Sequence, residues 1–372
     1  MDNNNSVPIA LLTNSTDQKG WPWVPVPLEP IVFAKNATII PRISIIVPSF
    51  NQGRYLEETI RAIILQDYPN YELIVIDADS TDNTLEIIRK YEPWITYWVS
   101  EPDRGQSHAI VKGLAVATGD IINWINSDDL VAPGAFHLIA AEFDLNRFDV
   151  ICGKCDYFLN DLNHLDLQGM RMGLGLTIGD TFNIHQINQP STFFKASVIK
   201  KMGIDEQFRY TMDLDLWFRY LLQAGQERVW LSENLLSYFR LHDASKTVAE
   251  NAHFKGDIWR VHYNILYSLE QKAALLTYAS LPIPNFERFV PTCYSINVSK
   301  IELHPFIVNM AWMAVYHYNA VMDYRAAREC LAIVRRYGSL LETKLLKQLF
   351  KHYFLPERFV RWVVNGQFLK AQ

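Results

Sequence analysis

Two adjacent aspartates, Asp128 and Asp129, close the apolar run Ile121-Ile122-Asn123-Trp124-Ile125, and Pro133-Gly134 follows shortly after. An apolar run bounded by turn residues reads as a buried strand. The C-terminal end of such a strand is where open α/β sheets bind ligands. Neighbouring carboxylates repel unless something positive joins them, and a divalent cation with oxygen ligands is the usual guest. The pair also suits a loop start in which one Asp caps the next helix. The choice depends on what else reaches the same place.

The elements around the pair alternate. Ile43-Ser44-Ile45-Ile46-Val47 reads as a strand stopped by Pro48-Ser49-Phe50-Asn51, and Tyr55, Leu56, Ile60, Ile63 and Ile64 recur at helical spacing. Leu73-Ile74-Val75-Ile76 is a second strand, ending at Asp77-Ala78-Asp79-Ser80-Thr81-Asp82, with a helix through Leu85, Ile88 and Tyr91. Ile95-Thr96-Tyr97-Trp98-Val99 is a third, ending at Ser100-Glu101-Pro102-Asp103-Arg104-Gly105-Gln106, and a helix over 107–117 leads to the aspartate strand. Strands alternating with short helices imply right-handed βαβ units on a mainly parallel sheet. Polar, mostly acidic strand ends then converge on one rim.

Further on, a helix follows Pro133, a strand lies near Phe148-Asp149-Val150-Ile151, and the Gly-rich residues 169–175 read as a flexible loop. Gln189-Pro190-Ser191-Thr192-Phe193-Phe194 reads as a strand before a helix over 196–202. Met212-Asp213-Leu214-Asp215-Leu216-Trp217 opens an amphipathic helix that stops at Gly225, and Leu236–His242 is strand-like. From about 250 the pattern is helical. This divides the chain into an extended Pro-rich arm (1–41) packed by its tryptophans, an α/β domain (42–247) and a helical extension (248–372).

Composition bounds the function. With 372 residues, 49% hydrophobic and 20% charged, the chain can bury a large core. A net charge of −5 gives no reason to expect nucleic acid. No apolar run reaches the roughly 18–20 residues of a membrane span, and Met1-Asp2-Asn3-Asn4-Asn5 lacks the basic and apolar regions of a signal peptide. Four cysteines are too few for a disulfide scaffold, so a reducing cytosol fits. Cys152-Gly153-Lys154-Cys155 has no second pair and sits in a strand-like run, which argues against zinc. The basic, aromatic stretches Phe350-Lys351-His352-Tyr353-Phe354 and Phe359-Val360-Arg361-Trp362-Val363-Val364 suit either a packed helical bundle or a peripheral contact with an anionic membrane. The expected location is cytoplasmic, or peripheral at a membrane.

Two resemblances compete for the acidic motifs. Asp77-Ala78-Asp79-Ser80-Thr81 after a strand resembles the D-x-D-x-T nucleophile motif of haloacid-dehalogenase phosphatases, which would give Asp77 the attack and Asp79 the leaving group. That reading leaves Pro48-Ser49-Phe50-Asn51 and the 212–217 segment without a role. The ordered set across residues 42–247 resembles the family 2 glycosyltransferases, similar to bacterial enzymes of surface-polysaccharide assembly. The set is Pro48-Ser49-Phe50-Asn51, Asp77 with Ser80-Thr81-Asp82, Glu101-Pro102-Asp103-Arg104-Gly105, Asn126-Ser127-Asp128-Asp129, Gln189-Pro190-Ser191 and Met212-Asp213-Leu214-Asp215.

That resemblance implies a GT-A, Rossmann-like fold with a mostly parallel sheet flanked by helices, a nucleotide-sugar donor and inversion at the anomeric carbon. It implies a divalent cation, Mn2+ or Mg2+, at Asp129 and Asp128, with His242 as a further ligand. Pro48, Ser49, Phe50, Asn51, Asp77, Arg104, Lys112 and Asp128 would hold the nucleotide-sugar. Arg104 would meet phosphate or sugar hydroxyls, or else pair with Glu101 or Asp103. Asp213 matches the base, at a helix start whose dipole would hold its carboxylate ionised. Asp215 is its rival on another helix face. The acceptor would be a glycan, glycolipid or protein. His108, Val111, Ala78 and Met212 depart from common residues of the family, and their effect would fall on donor or acceptor contacts. A catalytically silent sugar-nucleotide or glycan-binding module on the same fold is the alternative.

Overall fold

A computed structural model of the chain describes residues 12, 19–27, 40–159, 162, 169, 171–184, 187–242, 251–339 and 343–355. Residues 1–5, 28–39 and 359–364, on which parts of the sequence reading fell, lie outside them. The chain divides into two compact units. The first comprises Met1–Met172, Gln186–Trp217 and Gln226–Asn251, and the second Gly173–His185, Phe218–Gly225 and Ala252–Gln372.

Among the described residues of the first unit eight strands form one sheet: β1 (Ile43–Ser49), β2 (Tyr71–Asp77), β3 (Tyr97–Ser100), β4 (Ile121–Trp124), β5 (Leu130–Val131), β6 (Val150–Phe158), β7 (Thr192–Lys195) and β8 (Val229–Arg240). Their order across the sheet is β3-β2-β1-β4-β7-β6-β8-β5. β1, β2, β3 and β4 pair in parallel, as the alternation of elements predicts. β1 is buried at every position, and its apolar sequence reflects a strand covered on both faces. Ser49 faces Asp77, and Asp77 faces Ser100. The acidic strand ends therefore lie in register along one edge.

The connections are helices α1 (Leu56–Ile64), α2 (Thr84–Tyr91), α3 (Gln106–Val116), α4 (Ala135–Glu142), α5 (Ile178–Ile184), α6 (Ala196–Met202) and α7 (Met212–Ala224). α1 buries Leu56, Ile60, Ile63 and Ile64 in a core with Ile45, Val47, Leu73, Val75, Ile88 and Tyr91. That is the i, i+4, i+7 stripe of the sequence, and it fixes how α1 lies on the sheet. Gln189–Ser191 forms a single 3-10 turn before β7, so the strand expected from 189 starts at Thr192. Pro190, which has no N–H to give a ladder, accounts for the delay. β8 runs longer than the 236–242 expected and stops at Arg240. Residues 171–175 carry no regular structure. The Pro-rich arm packs by its tryptophans: Trp21 Nε1 donates to the Val131 carbonyl (3.0 Å), and the Arg61 guanidinium lies over the Trp23 ring.

Cys152 and Cys155 are both buried in β6, where burial pushes each thiol up to about 12. Such buried thiols pack as small apolar side chains within the strand.

The second unit is helical. α8 (Asn251–Ser268), α9 (Ala273–Ser280), α10 (His304–Ala320), α11 (Tyr324–Tyr337) and α12 (Thr343–Tyr353) join α5 and the end of α7. Phe182 stacks on Phe218 (ring centroids 4.2 Å apart) and meets Phe306 edge-on (5.6 Å). Among the described residues no helix is long and apolar enough to cross a membrane.

Candidate active site

The turn between β4 and β5 carries Asn126-Ser127-Asp128-Asp129, and the two aspartates point to different surroundings. Asp129 is buried. Its Oδ1 accepts the Arg240 main-chain N–H (3.0 Å), its Oδ2 accepts Asn126 Nδ2 (3.0 Å), and its carbonyl accepts Thr59 Oγ1 (2.9 Å). Burial first, and then the neighbouring charge of Asp128, raises the Asp129 carboxyl well above the ordinary carboxylate range. Asp128 is half-buried, and its Oδ2 lies 2.9 Å from His242 Nε2.

Sheet register brings this pair together. β5 follows Asp129 directly and pairs antiparallel with β8, Leu130 facing Tyr238. The residues just past the end of β8 consequently return to the turn that β5 leaves. Arg240 secures the join. Its Nε donates to the Asp128 carbonyl (2.9 Å), its guanidinium pairs with Glu58, and it lies between the Tyr55 and Phe158 rings, 4.8 and 4.4 Å from their centroids. Tyr55 also packs against the His242 ring, with centroids 4.7 Å apart. Arg240 received no role from the sequence. Its separation of two from His242 is the available signal, because residues i and i+2 of an extended segment share a face.

The other strand ends are laced to one another. Asp77 is buried and takes hydrogen bonds from Ser80 N–H (3.0 Å), Ser80 Oγ (2.5 Å) and Ser100 Oγ (2.6 Å). A carboxylate so buried and so bonded shapes the loop beyond β2. Asn51 adopts a left-handed backbone (φ 51°); its N–H donates to Ser80 Oγ (2.8 Å), and its Oδ1 accepts the Thr81 N–H (2.9 Å). Pro48 and Ser49 are buried, whereas Phe50 is 58% exposed on the rim and available for apolar contact.

The charged residues after β3 are paired within the protein. Arg104 bonds Glu206 (2.7 Å), not Glu101 or Asp103. Glu101 instead pairs with Lys112 (2.8 Å), and Asp103 accepts the N–H of Gly105 (2.6 Å), whose φ of 114° suits only glycine.

Asp213 opens α7, half-buried, with Oδ1 accepting the Leu214 N–H (2.9 Å). The loop before it is tied to the start of α3 by the Arg104–Glu206 pair and by Ser107 Oγ donating to the Phe208 carbonyl (2.6 Å). Gln106 next to Ser107 donates to Asn126 Oδ1 (2.6 Å), which links the same corner to the aspartate turn. Burial pushes the Asp213 carboxyl up to about 6, with Asp215 adding repulsion. Desolvation thus outweighs the donors at the α7 start, and the group titrates later than an ordinary Asp while staying mostly ionised at neutral pH. Asp215 is fully buried on another helix face.

A carboxylate beside an imidazole suits a transition ion such as Mn2+, whereas Mg2+ would draw on the carboxylate alone. Among the described residues no three His, Cys, Asp or Glu side chains converge as a metal cluster. A cation at Asp128 and His242 needs further oxygen ligands from substrate or water.

A parallel β3-β2-β1-β4 half with acidic ends, continued by β7, β6 and β8 and closed by β5 against the aspartate turn, defines the GT-A class of transferase fold. Solved structures agree at the level of fold. S. aureus TarS residues 1–349, in complex with UDP, superposes with a TM-score of 0.52 at 19% identity, covering 81% of this chain and 93% of that one. The complex of the same protein with UDP-GlcNAc gives 0.51 at 17%, covering 80% and 93%. Residues 44–203 match Glycosyl transferase family 2. An uncharacterized glycosyltransferase of Rickettsia typhi is 32% identical over 221 residues, 57% of this chain and 68% of its own length, and another of Rickettsia prowazekii is 29% identical over 215 residues, 56% and 66%. The chain belongs to glycosyl transferase family 2 and is a glycosyltransferase. The family match ends before Asp213 and His242.

Proposed function

We propose that the protein transfers a sugar from a nucleotide-diphosphate donor to an acceptor hydroxyl of a glycan, glycolipid or protein, with inversion, in surface polysaccharide or glycolipid synthesis. The observation that carries the site is the 2.9 Å contact between Asp128 Oδ2 and His242 Nε2 at the edge where the strand ends meet. These two side chains would hold a divalent cation, and Asp129 would act behind them by fixing the turn. When bound, the cation neutralises charge that grows on the departing diphosphate.

Asp213 serves as the base. It takes the proton from the acceptor hydroxyl as that oxygen bonds to the anomeric carbon and the bond from that carbon to the donor phosphate oxygen breaks. A carboxyl near 6 suits this task, because it is mostly ionised at neutral pH yet more basic than an ordinary Asp. Asp77 and Asn51 shape the loops around the nucleotide base, and the exposed Phe50 offers it an apolar face. The ion pairs of Arg104 and Lys112 open to receive donor phosphate or sugar hydroxyls.

The test is Asp213→Asn, measured for transfer and for the thermal shift that nucleoside diphosphates with manganese produce. Transfer should fall by about 10²–10⁴ while the shift persists. Undiminished transfer by the variant would remove Asp213 from the role.

A further inference from the structure

We propose that α12 is a docking face for an anionic lipid bilayer. The helix is held to the second unit along one side, where Leu345 and His352 are buried, Gln348 accepts from Asn319 Nδ2 (3.3 Å) and Lys351 donates to Asn319 Oδ1 (3.2 Å). The outward side carries Leu346, Phe350 and Tyr353, with Phe354 just beyond the helix end, each more than half exposed. At 3.6 residues per turn these four fall within about 100° of arc, a continuous apolar stripe. Phe350 and Phe354 stack on each other at the surface, with centroids 5.7 Å apart.

Charge selects the occupant. Lys347 is exposed along one flank of the stripe, with Lys351 behind it turned to Asn319 and Lys344 over the Trp312 and Tyr316 rings. The helix contains no acidic residue. Residues 343–372 carry six Lys and Arg against one acid, Glu357, on a chain whose net charge is −5. A basic, aromatic face on an acidic protein is complementary to phosphate-bearing headgroups over an apolar layer. Each lysine near such a surface is worth roughly fivefold in partitioning, and the phenylalanines enter the boundary between headgroups and acyl chains. Self-association through the stripe would set one row of lysines near another, which the charge pattern disfavours.

The experiment is flotation of the full chain with phosphatidylcholine vesicles and with vesicles containing about 30% phosphatidylglycerol. Binding should be at least tenfold stronger to the anionic vesicles and should fall as salt rises to about 0.5 M. Lys347→Glu, and separately Phe350→Ser with Phe354→Ser, should each weaken binding by fivefold or more with melting temperature and donor turnover unchanged. Equal or absent binding to the two vesicle types overturns the proposal. So does a concentration-dependent dimer in solution that Phe350→Ser converts to monomer, since a second copy would then be the occupant.

Discussion

Arg240 donates through Nε to the carbonyl oxygen of Asp128, 2.9 Å away, and so fixes the one turn that must hold still for Asp128 to face His242. The same residue gives its main-chain N–H to Asp129 and its guanidinium to Glu58, and it stacks between two rings. A side chain 3% exposed with this many partners is a strut. Removing it as Arg240→Leu strands the Asp128 carbonyl and Glu58, and it should cost about 2–4 kcal/mol, read as a lower denaturant midpoint. Arg240→Lys keeps the charge but cannot serve both partners, so manganese affinity should drop by tenfold or more with smaller loss of stability. A lysine variant with unaltered manganese affinity would show that the strut does not position the site.

Asp128 and Asp129 should separate cleanly on substitution. Asp128→Asn removes the charge that faces His242, and the apparent manganese requirement should rise at least tenfold. Asp129→Asn keeps an acceptor for the Arg240 N–H and removes a buried charge that Asp128 repels, but it sets its Nδ2 against the Nδ2 of Asn126. Manganese affinity should therefore change less than threefold, with stability at neutral pH changed by no more than about 1 kcal/mol as the two effects offset. Titration of each variant with manganese, followed by melting temperature, checks the contrast. The opposite order of effects would return the cation to Asp129.

Gly113 lies inside α3, where alanine ordinarily stabilises by about 0.5–1 kcal/mol. Here a Cβ would stand 2.4 Å from Cγ2 of Ile46 on β1, well inside contact distance. Ile46 is fully buried in the central strand and has nowhere to move. The clash should win, with Gly113→Ala destabilising by about 1–3 kcal/mol in a chemical melt.

The βαβ order, the strand ends and their convergence on one edge were legible because each depends on period and punctuation within a short window. The boundaries at Pro190 and Arg240 were less so, since they depend on which strand pairs with which. The contact between Asp128 and His242 joins residues 114 apart, and it exists because β5 pairs with β8, a relation no local pattern carries. Adjacent aspartates looked alike in sequence; burial distinguishes them, and burial is a property of the assembled sheet. The same holds for Arg104 and Glu206, 102 residues apart. At Asp213 the helix start is visible in sequence, whereas the desolvation that raises its carboxyl is not.

Asp213 carries the sharpest pH prediction. A base with a carboxyl near 6 is protonated below that pH, so transfer should fall about tenfold per unit as pH drops through 5.5 and below. Stability runs in the opposite direction. The folded carboxyl sits near 6, above the roughly 3.9 of an unfolded chain, so between these values only the folded state keeps the proton. Folding stability from this group therefore declines as pH rises from about 4 to 6, and above 6 the charge stays as a constant penalty. With partial exposure allowed for, that penalty is on the order of 1–2 kcal/mol. Asp213→Asn should accordingly melt higher than the natural chain at pH 7.5, the two should converge near pH 4, and the variant's transfer at pH 7.5 should stay about 10²–10⁴ below the natural chain's. A variant that is inactive and less stable at pH 7.5 would mean that the carboxylate is held by favourable contacts, and that its basicity has another origin than burial.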